Sequence, residues 1–241
     1  MSEALLTLSG VHTHIGRYHI LHGVDLVALR GRTTMLLGRN GAGKTTTLRT
    51  IMGLWRASAG AVNFAGASID RSATPDIARA GVAYVPENMG VFGDLTVKEN
   101  MVLAARAGAL DEQRLAWIFG FFPALRKFWL SRAGLLSGGQ KQMLAIARAI
   151  AEDHKLLLID EPTKGLAPAI VGALIEALTD LRRAGATIVL VEQNFRVAQD
   201  IGDDVYVMES GKIVHSGAMD ALAADDELQR RLLGLNLDSH Q

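Results

Sequence analysis

Four residues of the string GRNGAGKTT fall at the fixed positions of G-x-x-x-x-G-K-[ST]: Gly38, Gly43, Lys44 and Thr45. Phosphate oxygens need many donors in a small space, and backbone N–H groups of a glycine-rich loop can curl around them. Gly41 and Gly43 permit the curl, Arg39, Asn40 and Ala42 complete the loop, and Thr46 carries it into the next element. Lys44 is expected to reach the β and γ phosphates, and the Thr45 hydroxyl to ligate Mg²⁺. A second string, LLLIDEP, sets Asp160 and Glu161 side by side at the end of an apolar run. Asp160 is expected to hold the Mg²⁺, through water, and Glu161 to polarise the attacking water at the γ-phosphate as general base. Adjacent strand residues face opposite ways, which assigns the two carboxylates different jobs. Taken singly, the strings also describe a glycine-rich turn and a polar strand exit before Pro162; taken together they describe phosphate chemistry.

These residues need a scaffold that brings strand ends together. Residues 33–38, 81–86, 155–160 and 186–192 are short, nearly continuous apolar runs, the pattern of strands covered on both faces in a parallel sheet. Between the last two, Ile170, Val171, Leu174, Ile175, Leu178 and Leu181 recur at helical spacing. Strand, helix, strand in that order makes an α/β unit, and chemistry in such sheets collects at the carboxyl ends of the strands. Residues 4–30 read as short strands and turns, residues 205–215 as a hairpin about Ser210 and Gly211, and residues 88–148 as mostly helical.

Composition narrows the partners. The chain has 241 residues, 49% of them hydrophobic, enough for a full core. Lysine and arginine number 25, against 25 aspartate and glutamate, so no global basic field points to nucleic acid as a partner. There is no cysteine, which excludes disulfides and thiolate metal sites. The first residues lack the basic start and apolar core of a signal peptide, and no run reaches the ~18 apolar residues of a spanning helix. A soluble chain is expected, held at any membrane by another subunit.

One string remains without chemistry of its own. Leu136, Ser137, Gly138, Gly139 and Gln140 form LSGGQ, ahead of a helix expected to bury Met143, Ala147, Ile150 and Ala151. Ser137 suits a helix N-cap, but a cap does not explain two consecutive glycines. The order phosphate loop, LSGGQ, LLLIDEP resembles the ATP-binding-cassette (ABC) ATPases over essentially the whole chain. The resemblance implies an α/β fold with a mostly parallel core sheet, an antiparallel β-subdomain and a helical subdomain at about 88–148, all within one cassette of residues 1–241. It also implies that Ser137, Gly138 and Gly139 meet the γ-phosphate of a second subunit across a head-to-tail dimer. ATP and Mg²⁺ are the implied cofactors.

Finer segments, YVPENMGVFGDLTVKENMVLAAR (84–106), DEPTKGLAPAIV, LVEQN, SGKIVHSGAMDAL and a tail with RRLLGL near its end, resemble the shorter ATPase of branched-chain amino-acid importers. A urea importer of the same branch is the alternative. The partners implied are membrane permease subunits, a second cassette and, indirectly, a periplasmic solute-binding protein, with the chain on the inner face of the cell membrane. Four positions depart from the wider family pattern. Glu87 replaces the usual Gln and can still face Mg²⁺. Gln193 replaces the switch histidine; its amide can bond a γ-phosphate oxygen but cannot carry positive charge, and a plain solvated amide is the other reading. Leu166-Ala167 replaces Leu-Asp. Ile15-Gly16 replaces the Tyr-Gly that stacks on adenine, leaving Ile15 an apolar contact, with Tyr18 and His14 as flanking substitutes; Tyr18 also reads as an ordinary strand aromatic. The rings of residues 117–129 read either as a groove for a permease helix or as core of the helical region. Non-transport ABC proteins and catalytically silent modules are the competing classes. No sustained heptads separate Lys44 from Ser137, and Glu161 is present, which argues against each in turn.

Overall fold

The protein's structure, a computed structural model, describes residues 3–105 and 108–234. Arg106, at the end of the 84–106 segment, and Leu235, at the end of the tail string, lie outside them. The strands are β1 (Ala4–Ile15), β2 (Tyr18–Leu29), β3 (Thr33–Leu37), β4 (Ala57–Phe64), β5 (Ala67–Ser68), β6 (Val82–Val85), β7 (Leu156–Asp160), β8 (Thr187–Glu192), β9 (Asp204–Glu209) and β10 (Lys212–Ala218). Six of them form the core sheet in the order β10-β9-β3-β8-β7-β6. Its pairings are parallel from β6 through β9, and β10 closes it antiparallel. Every residue of β3, β7 and β8 is buried, as unbroken apolar runs require of strands covered on both faces.

Alternation along these strands builds two cores. Met35, Leu37, Leu157, Ile159, Ile188 and Leu190 face the helices Gly138–Ala149, Pro168–Arg183 and Phe195–Ile201. Leu36, Leu158, Val189 and Val191 face Leu48 and Ile51 of the helix Lys44–Ile51 and the apolar side of a second, antiparallel sheet, β2-β1-β4-β5. In that sheet β1 and β2 are long, 12 residues each, where the sequence suggested short strands. The reason is register: shifts between Leu8 and Val11 and between Thr13 and His14 break the in–out alternation, so one bulged strand reads as several pieces. The hairpin about Ser210 and Gly211 is present, with φ of 47° and 78°, the left-handed pair of a tight two-residue turn.

Residues 97–149 are mainly helical: Val97–Val102, Glu112–Phe121, Pro123–Lys127, a 3-10 turn Ala133–Leu135, and Gly138–Ala149. Phe122 is fully buried, while Trp117, Phe119, Phe121, Phe128 and Trp129 pack half-buried against it and its neighbours. Edge-to-face pairs join Trp117 to Phe121 at 4.8 Å and Phe119 to Trp129 at 5.3 Å. These rings therefore supply core to the helical region, and the groove reading retains only their outer edges. Along Gly138–Ala149, Ala147 is buried, as are Ile150 and Ala151 just past its end; Met143 is half-buried. In Pro168–Arg183, Leu174, Leu178 and Leu181 are buried with Ala177, and Ile170, Val171 and Ile175 are half-buried.

Packing explains one signature glycine. A Cβ on Gly139 would lie 2.3 Å from Ile170 Cγ2, whereas one on Gly138 would meet Leu166 at an ordinary 3.6 Å. Gly139→Ala is therefore expected to cost about 1–3 kcal/mol of stability through overpacking, and Gly138→Ala to be neutral or to gain up to about 1 kcal/mol of helix propensity. Urea unfolding of the two variants checks this; equal losses would contradict it.

Candidate active site

The phosphate loop joins β3 to the helix Lys44–Ile51. Its bend is possible because Gly38, at φ 147°, approaches Met208 so closely that a Cβ would stand 2.2 Å from that carbonyl oxygen. Gly43 caps the helix at φ 109°. Lys44 is 4% exposed and folds back over the loop, donating from Nζ to Gly38 O at 2.7 Å and Arg39 O at 3.1 Å. Thr45 donates to Asp160 Oδ1 at 3.1 Å. Asp160, the last residue of β7, is fully buried and also accepts from the Tyr84 hydroxyl at 3.3 Å. Burial pushes the Asp160 carboxyl above its usual range, with the hydrogen bond from Thr45 working against it. Tyr84 is pushed up to about 12 by burial and by the adjacent Asp160 charge.

Strand alternation would send Glu161 away from Asp160. Instead Glu161 has left-handed backbone, φ 47°, a geometry that costs a non-glycine residue roughly 1–2 kcal/mol. The turn brings both carboxylates to consecutive residues of one helix, Asp160 to Thr45 and Glu161 to Lys44. Glu161, 8% exposed, accepts from Gln193 Nε2 on Oε1 at 2.6 Å, with Lys44 Nζ 3.5 Å from the same oxygen. Lys164 Nζ stands 3.4 Å from Oε2. Burial works to raise the Glu161 carboxyl, but the Gln193 bond and the two lysine charges outweigh it and hold it below the ordinary range.

Around this pair lies a cleft of about 340 Å³ lined by Ile20, the phosphate loop, Glu87, Glu161 and Lys164. Glu87 accepts from Lys164 Nζ at 2.6 Å. Gln193 reaches across to Asn40 Oδ1 at 2.6 Å, so its amide ties β8's end to the phosphate loop. Glu192, buried beneath it, accepts from Thr163 Oγ1 at 2.7 Å. Burial pushes its carboxyl up, against that hydrogen bond. Tyr84, Lys164, Glu192 and Ile20 escaped the reading of the sequence. The first three become visible only when β6, β7 and β8 are laid side by side.

Ile15 and Tyr18 face each other across the tip of the β1–β2 hairpin, and neither lines this cleft. Ile15 is half-buried, and Tyr18 is 60% exposed with the Arg17 guanidinium 5.2 Å over its ring. His14 stacks on His19 at 4.1 Å and bonds Ser58. Thr46 follows Thr45 into the helix and, with it, lines the cleft. In the signature, Leu136 is buried, while Ser137 and Gly138 are exposed at the start of Gly138–Ala149. Ser137 and Gln140 cap that helix reciprocally, Gln140 N to Ser137 Oγ at 3.3 Å and Ser137 N to Gln140 Oε1 at 2.9 Å.

The donor set suits Mg²⁺. No cluster of three or more carboxylate or histidine ligands occurs among the described residues. Mg²⁺ on a nucleotide needs only one or two protein oxygens, the rest coming from phosphate and water, and the Thr45 hydroxyl beside the buried Asp160 carboxylate is a pair of that kind.

A family model described as "ABC transporter" matches residues 21–164. The chain is 38% identical to the high-affinity branched-chain amino acid transport ATP-binding protein BraG of Pseudomonas aeruginosa, over 95% of this chain and 100% of that protein. It is 30% identical to the lipopolysaccharide export system ATP-binding protein LptB of Haemophilus influenzae, over 96% and 98%. Among solved structures, an ATP-binding subunit of an ABC transporter superposes with a TM-score of 0.80 at 31% identity, over 97% and 96%. Phosphate loop, buried acidic pair, signature helix and whole-length similarity agree: the chain belongs to the ABC transporter family, as an ATP-binding ATPase subunit.

Proposed function

We propose that this subunit hydrolyses ATP at the interface of a cassette dimer and powers an importer of branched-chain amino acids. The observation that carries the substrate class is the whole-length similarity to BraG at 38%, joined by the 84–106, GLAP and VEQN segments. Residues 38–46 cradle the phosphates, with Lys44 turning from the loop carbonyls to the β and γ groups. Thr45 and Asp160 hold Mg²⁺, which supplies charge neutralisation on the phosphates when bound; Glu87 stands where it can join them. Glu161 orients the attacking water and takes its proton, and Gln193 holds that carboxylate against Asn40. Ile20, in the cleft wall, offers apolar contact to the base, and the hairpin tip of Ile15 and Tyr18 stands beyond that wall. The exposed Ser137 and Gly138 complete the partner's site, with Leu136, Gly139 and Gln140 shaping the turn. Residues 88–148 act as the helical subdomain of a single cassette and meet the permease, which places the chain at the inner face of the membrane. No helix among the described residues is long and apolar enough to cross a membrane, so that placement needs the permease.

Mixing tests the shared site. Ser137→Ala and Lys44→Ala homodimers should each be inactive. Combined, they form one site from an intact phosphate loop and an intact signature, so phosphate release should return to about a quarter of wild type. Absence of recovery, or full activity of Ser137→Ala alone, rejects the trans arrangement. The similarity to LptB at 30% favours a second reading, an export role. Purifying the tagged chain from its native membrane separates the two. Two permease subunits with a sister cassette and an amino-acid-binding protein support import; a lipopolysaccharide-export assembly supports the other.

A further inference from the structure

The cleft holds a charge problem that the nucleotide motifs do not solve. Glu161 and Glu87 line it with carboxylates, Asp160 is buried behind them beside Thr45, and Glu87 adds a charge that a glutamine there would not. Lys44 is already engaged by Gly38 O, Arg39 O and Glu161. The other lysine lining the cleft is Lys164. Its Nζ lies 2.6 Å from Glu87 Oε1 and 3.4 Å from Glu161 Oε2, and its backbone N–H turns back to Glu161 O at 3.3 Å. The side chain is 55% exposed, so the ammonium stands at the mouth with room to turn inward, while its backbone is tied to the main chain of the residue whose carboxylate it faces.

Resting on the ATPase reading, we propose that Lys164 is a second nucleotide-facing cation. It balances Glu87 and Glu161 so that a polyanion can enter, and it positions Glu161 through Oε2. Two carboxylates repel an incoming triphosphate; a lysine between them removes most of that repulsion. Because the group is partly exposed, its influence is screened by salt. The effect should be largest for free ATP, which carries more charge than its Mg²⁺ complex.

The test is equilibrium binding of a fluorescent ribose-labelled ATP, in EDTA and in Mg²⁺, at low and at high salt. Lys164→Met should weaken binding in EDTA about fivefold at low salt, less in Mg²⁺ and less at high salt. Lys164→Arg should restore it. Glu87→Gln combined with Lys164→Met should also recover most of the affinity, because counter-charge and charge leave together. Unchanged affinity of Lys164→Met in EDTA overturns the assignment, as does a double variant no better than Lys164→Met. If the wild type binds no nucleotide in either buffer, the ATPase reading falls and takes this one with it. Wild-type binding with an inert Lys164 rejects Lys164 alone.

Discussion

Glu161→Gln should slow ATP turnover about 10²–10³-fold while leaving nucleotide affinity equal or tighter. The amide keeps the shape and can still accept from Gln193, which now holds Oε1 at 2.6 Å. It cannot take a proton from water. It also releases Lys44, whose Nζ lies 3.5 Å from the carboxylate, for the phosphates. Glutamine tolerates φ 47° no worse than glutamate does, so the fold should persist, with Tm within about 2–4 °C of wild type. Single-turnover phosphate release, read beside nucleotide binding on the same protein, is the measurement. Turnover within threefold of wild type would remove Glu161 from the role of base.

Lys44→Met should abolish useful nucleotide binding, by about a hundredfold or more, and also cost stability. The two effects have separate causes. Binding is lost because a desolvated ammonium is worth far more to phosphate than an exposed one. Stability falls because Lys44 is 4% exposed and donates to Gly38 O and Arg39 O. Those acceptors would lose a donor in a tight loop, and Glu161 would lose a counter-charge, together costing about 1–3 kcal/mol. Calorimetric titration with Mg-ATP and urea unfolding read them independently. A variant that unfolds like wild type yet binds nothing would confine Lys44 to the ligand; one that binds normally would contradict the assignment.

These expectations rest on unequal parts of the chain's legibility. The phosphate loop, the apolar strands β3, β6, β7 and β8, and the hairpin at Ser210 and Gly211 were readable because each is encoded within a few consecutive residues. A glycine spacing fixes a bend, and an unbroken apolar run fixes a strand covered on both faces. The length of β1 and β2 was not readable, because bulges shift the pattern out of phase. The aromatic string 117–129 was ambiguous for a related reason: a ring's hydrophobicity says that it packs, not against what.

The kind of chemistry is written in three short strings: a loop for phosphate, an acidic pair at a strand end, and a glycine signature with no chemistry of its own. The disposition of the charges comes from the assembled fold. Gln193 meets Asn40 and Glu161, and Lys164 meets Glu87, because the order β3-β8-β7-β6 sets the ends of distant segments beside one another. Asp160 and Glu161 converge because one left-handed residue overrides strand alternation. Short-range steric rules are written in neighbouring residues and can be read from them. Electrostatic balance sums over groups that only the sheet order brings within a few ångströms, and no local string carries that sum.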